Sequence, residues 1–238
     1  MKNLNKLKLE VVKPRYYKED LIKKDYLIDE DQKLQIYYAP FDYINKDASI
    51  IIVGITPGWT QMELSFRTAI QAISEGKSNA EALRQVKLNS SFAGSMRNNL
   101  INMLNEIGLH KKLKLDTCSS LFDESSKILH STSALKYPVF NNGKNYTGAS
   151  PSPIKNKFLW NQIDNNFVSE INKFENKLII PLGKNVNGIL NELQSKNRLN
   201  NNSILTNFPH PSGANGHRVK QFNKEKGSLT RQIKEWEI

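Results

Sequence analysis

A chain of 238 residues with 38% hydrophobic and 24% charged side chains carries enough apolar material for a packed core, which excludes an intrinsically disordered protein. A single cysteine, Cys118, excludes an internal disulfide, an all-cysteine zinc site and a cysteine-ligated iron–sulfur cluster. The 34 Lys and Arg outnumber the 23 Asp and Glu to give a net charge of +11, which favours an anionic partner, nucleic acid before a membrane surface.

In chain order, the first feature is a basic crowd: Lys2, Lys6, Lys8, Lys13, Arg15, Lys18, Lys23 and Lys24. Residues 1–30 are expected as an arm or as an extension packed on a single domain, 31–238. The start lacks the uninterrupted apolar region of a secretory signal, and no apolar run approaches the roughly 20 residues of a membrane span, so a cytoplasmic location is expected. Residues 48–55 (ASIIIVGI) read as a buried strand ending at Thr56-Pro57-Gly58. Residues 61–87 have helical spacing around Ala69, Ile70, Ile73, Ala80 and Leu83, with a break at Gly76-Lys77-Ser78. A further helix follows over 92–107, closed by Gly108.

Residues 128–135 (ILHSTSAL) predict a second strand, and 136–157, rich in Pro, Gly, Asn and Ser, a long surface loop. A helix over 155–174, a strand at 177–182, a short helix around Val186–Leu193 and a strand at 203–207 complete the pattern. Strands alternating with helices predict a three-layer α/β/α fold around a central, mainly parallel four-stranded sheet. Ligands in such folds sit beyond the carboxyl ends of the strands. The unusual residues here follow strands.

The first unusual segment is Gly54-Ile55-Thr56-Pro57-Gly58-Trp59, whose glycines let backbone N–H groups approach a ligand or simply make a strand-to-helix turn. It is not a P-loop, because no Gly-Lys-Ser/Thr follows at the required spacing. The second is 207–218 (NFPHPSGANGHR), where two prolines hold His210 rigidly and small residues lead to Arg218, a residue suited to phosphate. His210 and His217 without further convergent ligands do not make a zinc site. The third, Ser90–Arg97, opens a helix and contains Phe92; the fourth is 131–138 (STSALKYP), with Ser133 and Lys136.

These segments, in this order, resemble the uracil-DNA glycosylase superfamily over residues 48–222. A G-x-x-P-G motif ends that family's first strand and H-P-S its last; Phe92-Ala93-Gly94 resembles its aromatic-Gly helix start, and 177–183 (KLIIPLG) its third strand. The resemblance implies a monofunctional DNA glycosylase that hydrolyses the N-glycosidic bond of a flipped base without a metal or cofactor, working as a monomer on double-stranded DNA. It casts Phe92 as the platform for the base and His210 as the hydrogen-bond donor to the departing base. Gly54, Ile55, Pro57, Gly58 and Trp59 would border the base, although Trp59, like Tyr137, is equally suited to a core. Lys136, Ser150, Ser152, Ser212, Gly213, Asn215, His217, Arg218 and Lys220 would contact DNA.

Two departures stand out. Thr56 occupies the position where the family carries Asp, Asn or Glu; a threonine can orient a water but is no general base. Ser133 stands where relatives read uracil with an asparagine. Both are smaller residues, so the expected substrate is a modified or bulky base, such as α-glucosyl-5-hydroxymethylcytosine in phage DNA, excised as an antiphage defence. The alternatives are a uracil or mismatch repair enzyme, and a non-catalytic DNA-binding protein of the same fold. Asp116, Asp123, Glu124 and Glu63 are further carboxylates that could replace the missing one, or ordinary loop and helix-end charges.

Overall fold

The computed structural model of the chain describes residues 2–123 and 127–237. From the N-terminus come α1 (Lys2–Leu7), α2 (Lys18–Leu21), a hairpin of β1 (Leu27–Asp31) and β2 (Leu34–Tyr37), and then β3 (Ile50–Gly54). Next are α3 (Trp59–Ser74), α4 (Asn79–Ser90), α5 (Ser95–Glu106) and α6 (Leu109–Lys112), followed by β4 (Leu129–Ser133) and a second hairpin, β5 (Val139–Asn141) and β6 (Lys144–Asn145). α7 (Lys157–Gln162) runs through a π-helical turn (Ile163–Val168) into α8 (Ser169–Ile171). β7 (Leu178–Pro181), α9 (Lys184–Ser195), β8 (Ser203–Ile204) and α10 (Arg218–Glu235) follow.

The central sheet has the order β4-β3-β7-β8 and every neighbouring pair is parallel. Its middle strand, Ile50–Gly54, is buried throughout, as a β-branched run covered on both faces should be. Successive side chains divide between two cores. Ile51, Val53 and Ile179 pack with Leu159, Ile163, Phe167 and Ile171 of the α7–α8 stretch and with Val186, Ile189 and Leu190 of α9. Ile50, Ile52, Leu178 and Ile180 pack instead with Leu100 and Leu104 of α5 and Phe222, Leu229 and Ile233 of α10. Each such fully buried aliphatic side chain contributes roughly 1.5–3 kcal/mol. The break expected near residue 78 is an N-cap: the Ser78 hydroxyl accepts from Glu81 N–H at 3.3 Å and Glu81 accepts from Ser78 N–H at 2.9 Å.

A second sheet, β1-β2-β5-β6, is antiparallel throughout. The expectation of one long loop over 136–157 is therefore corrected. Asn142 and Gly143 both have positive φ, 49° and 70°, and form the tight turn that joins β5 to β6. The basic leading segment packs on the fold. Leu4, Leu7, Tyr16, Leu21 and Tyr26 are buried against Met62, Phe66, Ala69 and Ile70 of α3, and Lys13 and Lys23 pair with Asp20 and Glu10. Among the described residues no helix is long and apolar enough to cross a membrane.

Candidate active site

Parallel pairing aligns the carboxyl ends of β3, β4 and β7, with Gly54 opposite Ser133 and Val53 opposite Pro181. At that edge the bend after β3 is held from several sides. Gly58 N–H donates to Gln61 Oε1 at 3.1 Å, and Trp59 N–H to Asn145 Oδ1 at 3.0 Å. The Thr56 hydroxyl donates to the Tyr137 carbonyl at 3.0 Å and accepts from Val139 N–H at 3.2 Å. Thr56 thus joins the bend to the start of β5 in the second sheet. Gly148, with φ of +81°, lies over the bend so closely that a Cβ there would sit 2.6 Å from Ile55 Cγ1.

Phe92 sits in the turn between α4 and α5 with a left-handed backbone, φ 54°. A bulky residue adopts that conformation only where its surroundings over-determine it. The restraint is Arg97, whose guanidinium donates to the carbonyls of Leu88 at 2.7 Å and of Ser91 at 2.6 Å. The Phe92 ring, 4% exposed, reaches Gly54. A Cβ on Gly54 would lie 3.4 Å from both Phe92 Cε1 and Ser133 Oγ. Gly54, Phe92 and Ser133 therefore converge, and a slot of about 20 Å³ opens between Phe92, Ser133, Pro57 and the side chains of Gln61, Lys87 and Lys136. As it stands the slot holds about one water molecule.

His210 lies on the same carboxyl edge, beside β7. Gly183 N–H donates to the Phe208 carbonyl at 3.0 Å, and a Cβ on Gly183 would be 3.0 Å from His210 Cβ. The His210 Nδ1 accepts from Ser212 N–H at 3.2 Å. Burial pushes the imidazole pKa below its ordinary value, so the ring is neutral near pH 7 and its Nε2 carries the proton. Asn99 Nδ2 donates to the Pro211 carbonyl, Asn215 Nδ2 to the His210 carbonyl and Arg218 to the Ser212 carbonyl, which fixes the loop from both sides.

One relative is 41% identical over 219 residues, spanning 91% of this chain and 86% of its own length: YoxB of Bacillus subtilis (strain 168), described as an uncharacterized protein. The chain belongs to the YoxB family. No protein-family model matches it. The crystal structure of wild-type Pedobacter heparinus SMUG2 is 14% identical, with a TM-score of 0.46 over 96% of this chain and 97% of its own.

In this YoxB-family chain a buried polar network that sequence reading missed stands behind the slot. His130 Nε2 donates to Glu170 Oε1 at 3.0 Å and its Nδ1 accepts from Asn45 N–H at 3.5 Å. Lys136 Nζ is 3.2 Å from Glu170 Oε2 and 3.4 Å from Asp42 Oδ1, and Asp42 also accepts from Tyr38 and Tyr137. Burial opposes the Glu170 charge, yet the His130 hydrogen bond and the Lys87 and Lys136 ammoniums outweigh it and hold the carboxyl well below its usual range. Burial, aided by the two cations, outweighs the opposing pull of the Glu170 carboxylate and holds His130 below its ordinary value, so it is neutral. Glu170 lies in phase with Phe167, Ile171 and Phe174 on the apolar face of its helix; that misplaced carboxylate was the available signal. Lys87 and Gln61 gave none.

Several expected contacts are corrected. Lys136, expected on DNA, has a side chain 16% exposed and held between Asp42 and Glu170, so it lines the slot instead. Trp59 packs against the cluster under α3 rather than the slot. Glu63 is occupied by Tyr16 N–H and Arg67. Asp116 and Asp123 are exposed, and Glu124 lies outside the described residues. Gly213, His217, Lys220 and Ser150 are exposed, and Ser152 and Arg218 partly so. The room expected around Thr56 and Ser133 lies elsewhere. A cavity of about 280 Å³ adjoins the slot and shares its wall of Lys87, Ser91 and Ser131.

Proposed function

We propose that this chain is a monofunctional DNA glycosylase that hydrolyses the N-glycosidic bond of a flipped nucleotide to leave an abasic site. The observation that supports this reading is that neighbouring strands of one parallel sheet carry, beyond their carboxyl ends, Phe92 packed on Gly54 after β3 and a neutral, backbone-held His210 beside Gly183 after β7. We propose that the two serve one flipped base, although His210 does not line the slot itself. A flipped base stacks on Phe92 once the slot widens beyond the space of one water, with Lys87 and Lys136 remaining on its wall. Unstacking costs a few kcal/mol, offset by phosphate contacts from a chain of net charge +11. The exposed Gly213–Lys220 segment and Ser150 are the contacts proposed for that role.

Among the described residues no carboxylate lines the slot, and the Thr56 hydroxyl already serves two backbone groups. The chemistry then rests on the leaving group more than on an activated water. As the C1′–N bond breaks, negative charge grows on the base, and fixed donors stabilise it without reorganising. His210 Nε2–H is one such donor.

The substrate we favour is an enlarged base, such as α-glucosyl-5-hydroxymethylcytosine in phage DNA, which would make excision a defence. The supporting observation is the larger cavity across the Lys87–Ser91–Ser131 wall. The deciding experiment incubates the full chain with four end-labelled duplexes, carrying glucosylated hydroxymethylcytosine, uracil, a mismatch or no modification, and then cleaves abasic sites with alkali. Breaks in the glucosylated duplex support the full reading, and breaks in the uracil or mismatch duplex alone make it a repair enzyme. Binding without breaks in any duplex makes it a non-catalytic DNA-binding protein.

A further inference from the structure

We infer that Lys87 is a catalytic residue of this site: its ammonium contacts the flipped base and donates a hydrogen bond to it as the bond to the sugar breaks. The inference rests on the glycosylase reading above and adds to it a residue from outside the four segments that define the site in the sequence.

Three geometric observations carry it. Lys87 is 9% exposed, yet it lines both the slot beside Phe92 and the 280 Å³ cavity next to it. Its hydrogen bond among the described residues goes to the Ser131 carbonyl at 2.7 Å, and the ammonium also stands over the Phe41 ring, 5.8 Å from its centroid. An aromatic face takes no classical hydrogen bond, so N–H capacity is left for a ligand in the slot. And although Glu170 lies near enough to act on it electrostatically, among the described residues no ion pair joins the two: Glu170 Oε1 takes the His130 hydrogen bond and Oε2 faces Lys136 at 3.2 Å. A buried lysine held only for structure is normally paired with a carboxylate. This one is held by a carbonyl of the edge strand β4 and by the Phe41 ring, and it lines two adjoining cavities.

The surroundings set its protonation. Burial lowers its pKa most, Lys136 lowers it further, and Glu170 and Asp42 raise it, for a value of about 8. His130 on β4 is neutral, while Arg84 on its own helix and Lys127 border the larger cavity. The ammonium is therefore the main form at pH 7, and it becomes the amine as pH rises through about 8. An amine is a poorer donor to a developing anion.

The test uses single-turnover base release by the full chain on the four duplexes already described, from pH 6 to pH 9.5, with wild type, K87M and K87Q. The expected result is a wild-type rate that is level to about pH 8 and then falls about tenfold per pH unit. K87M should be slower by about 100-fold or more, and K87Q, which keeps an N–H donor, intermediate; neither should show the alkaline fall. Thermal melting checks that both variants are folded. A K87M rate within threefold of wild type, or an unchanged alkaline limb, overturns the inference and leaves the glycosylase reading intact. A wild type that releases no base from any duplex overturns both.

Discussion

Gly183 and His210 touch in a way that only glycine permits. The Gly183 backbone has φ of +90° and its missing Cβ would lie 3.0 Å from His210 Cβ. Gly183→Ala must therefore strain the backbone, move the histidine, or both. The expected loss is about 1–3 kcal/mol of stability, with a fall in base release larger than the shift in melting temperature explains. Equal activity in G183A and wild type would show that the position of His210 does not matter.

His210→Ala should slow base release by about 100-fold or more, the usual effect of removing one fixed donor to a developing charge. The acid side of the pH profile carries a second check. Burial lowers the His210 pKa from 6.5, so the ring stays neutral, with Nδ1 accepting from Ser212 N–H, as pH falls past that value. Activity attributable to the neutral ring should hold at pH 6.5 and decline only below it. An acid limb above pH 6.5 contradicts the assignment.

Gly54→Val places methyl groups against the Phe92 ring and Ser133 Oγ, where a single Cβ already makes contacts of 3.4 Å. Base release should vanish, while affinity for unmodified duplex, measured by fluorescence anisotropy, should change less than threefold. Phe92→Ala should instead leave the slot open and weaken discrimination between a duplex with a flippable base and one without.

Glu170→Ala leaves His130 and Lys136 without their shared partner, and loss of one member of a buried charged pair costs about 3–5 kcal/mol. The sign with pH is definite. The native Glu170 pKa is depressed, so its contribution is fully present above 4.5, the ordinary value. It declines as pH falls from there through the native value. Denaturation curves of wild type and Glu170→Gln should therefore converge only in strong acid. Curves that converge near neutrality would mean that Glu170 is not charged in the native protein.

Lys87 carries a stability cost. Lowering a lysine pKa from 10.5 to about 8 corresponds to about 3 kcal/mol at pH 7. Loss of its bond to the Ser131 carbonyl takes back about 1 kcal/mol or more. K87M should therefore melt at or above the wild-type temperature at pH 7. A large drop in melting temperature would instead mark Lys87 as a structural post for β4.

The parallel sheet was legible because a buried strand writes an unbroken β-branched run, as in 50–53 (IIIV). Gly54 and Ser133 were legible because each closes a strand, and Phe92 because it stands just before Gly94, the N-cap of α5. The second hairpin left a signal, Asn142-Gly143, that was submerged in a stretch of loop-forming residues. Lys87 was hidden by abundance, and so was the inward direction of Lys136, a residue that its segment pointed to DNA. In a chain with 34 Lys and Arg, nothing local marks the two that turn inward, because their burial comes from contacts distant in sequence, such as Lys87 with Ser131. From its position in the motif, Thr56 is expected to orient a water. Its hydroxyl was instead claimed by Tyr137 and Val139, and pattern alone cannot show which of two hydrogen-bonding customers a threonine serves.

That tie makes Thr56 a rivet between two sheets. Thr56→Ser preserves both bonds, whereas Thr56→Val keeps the shape and orphans a carbonyl and an N–H. Because the rivet immobilises the floor, a cleft with space for one water molecule can admit a nucleobase only if its opposite side yields. The part of the mouth that yields must then lie away from Thr56, while the buried Lys87 stays anchored on the Ser131 carbonyl.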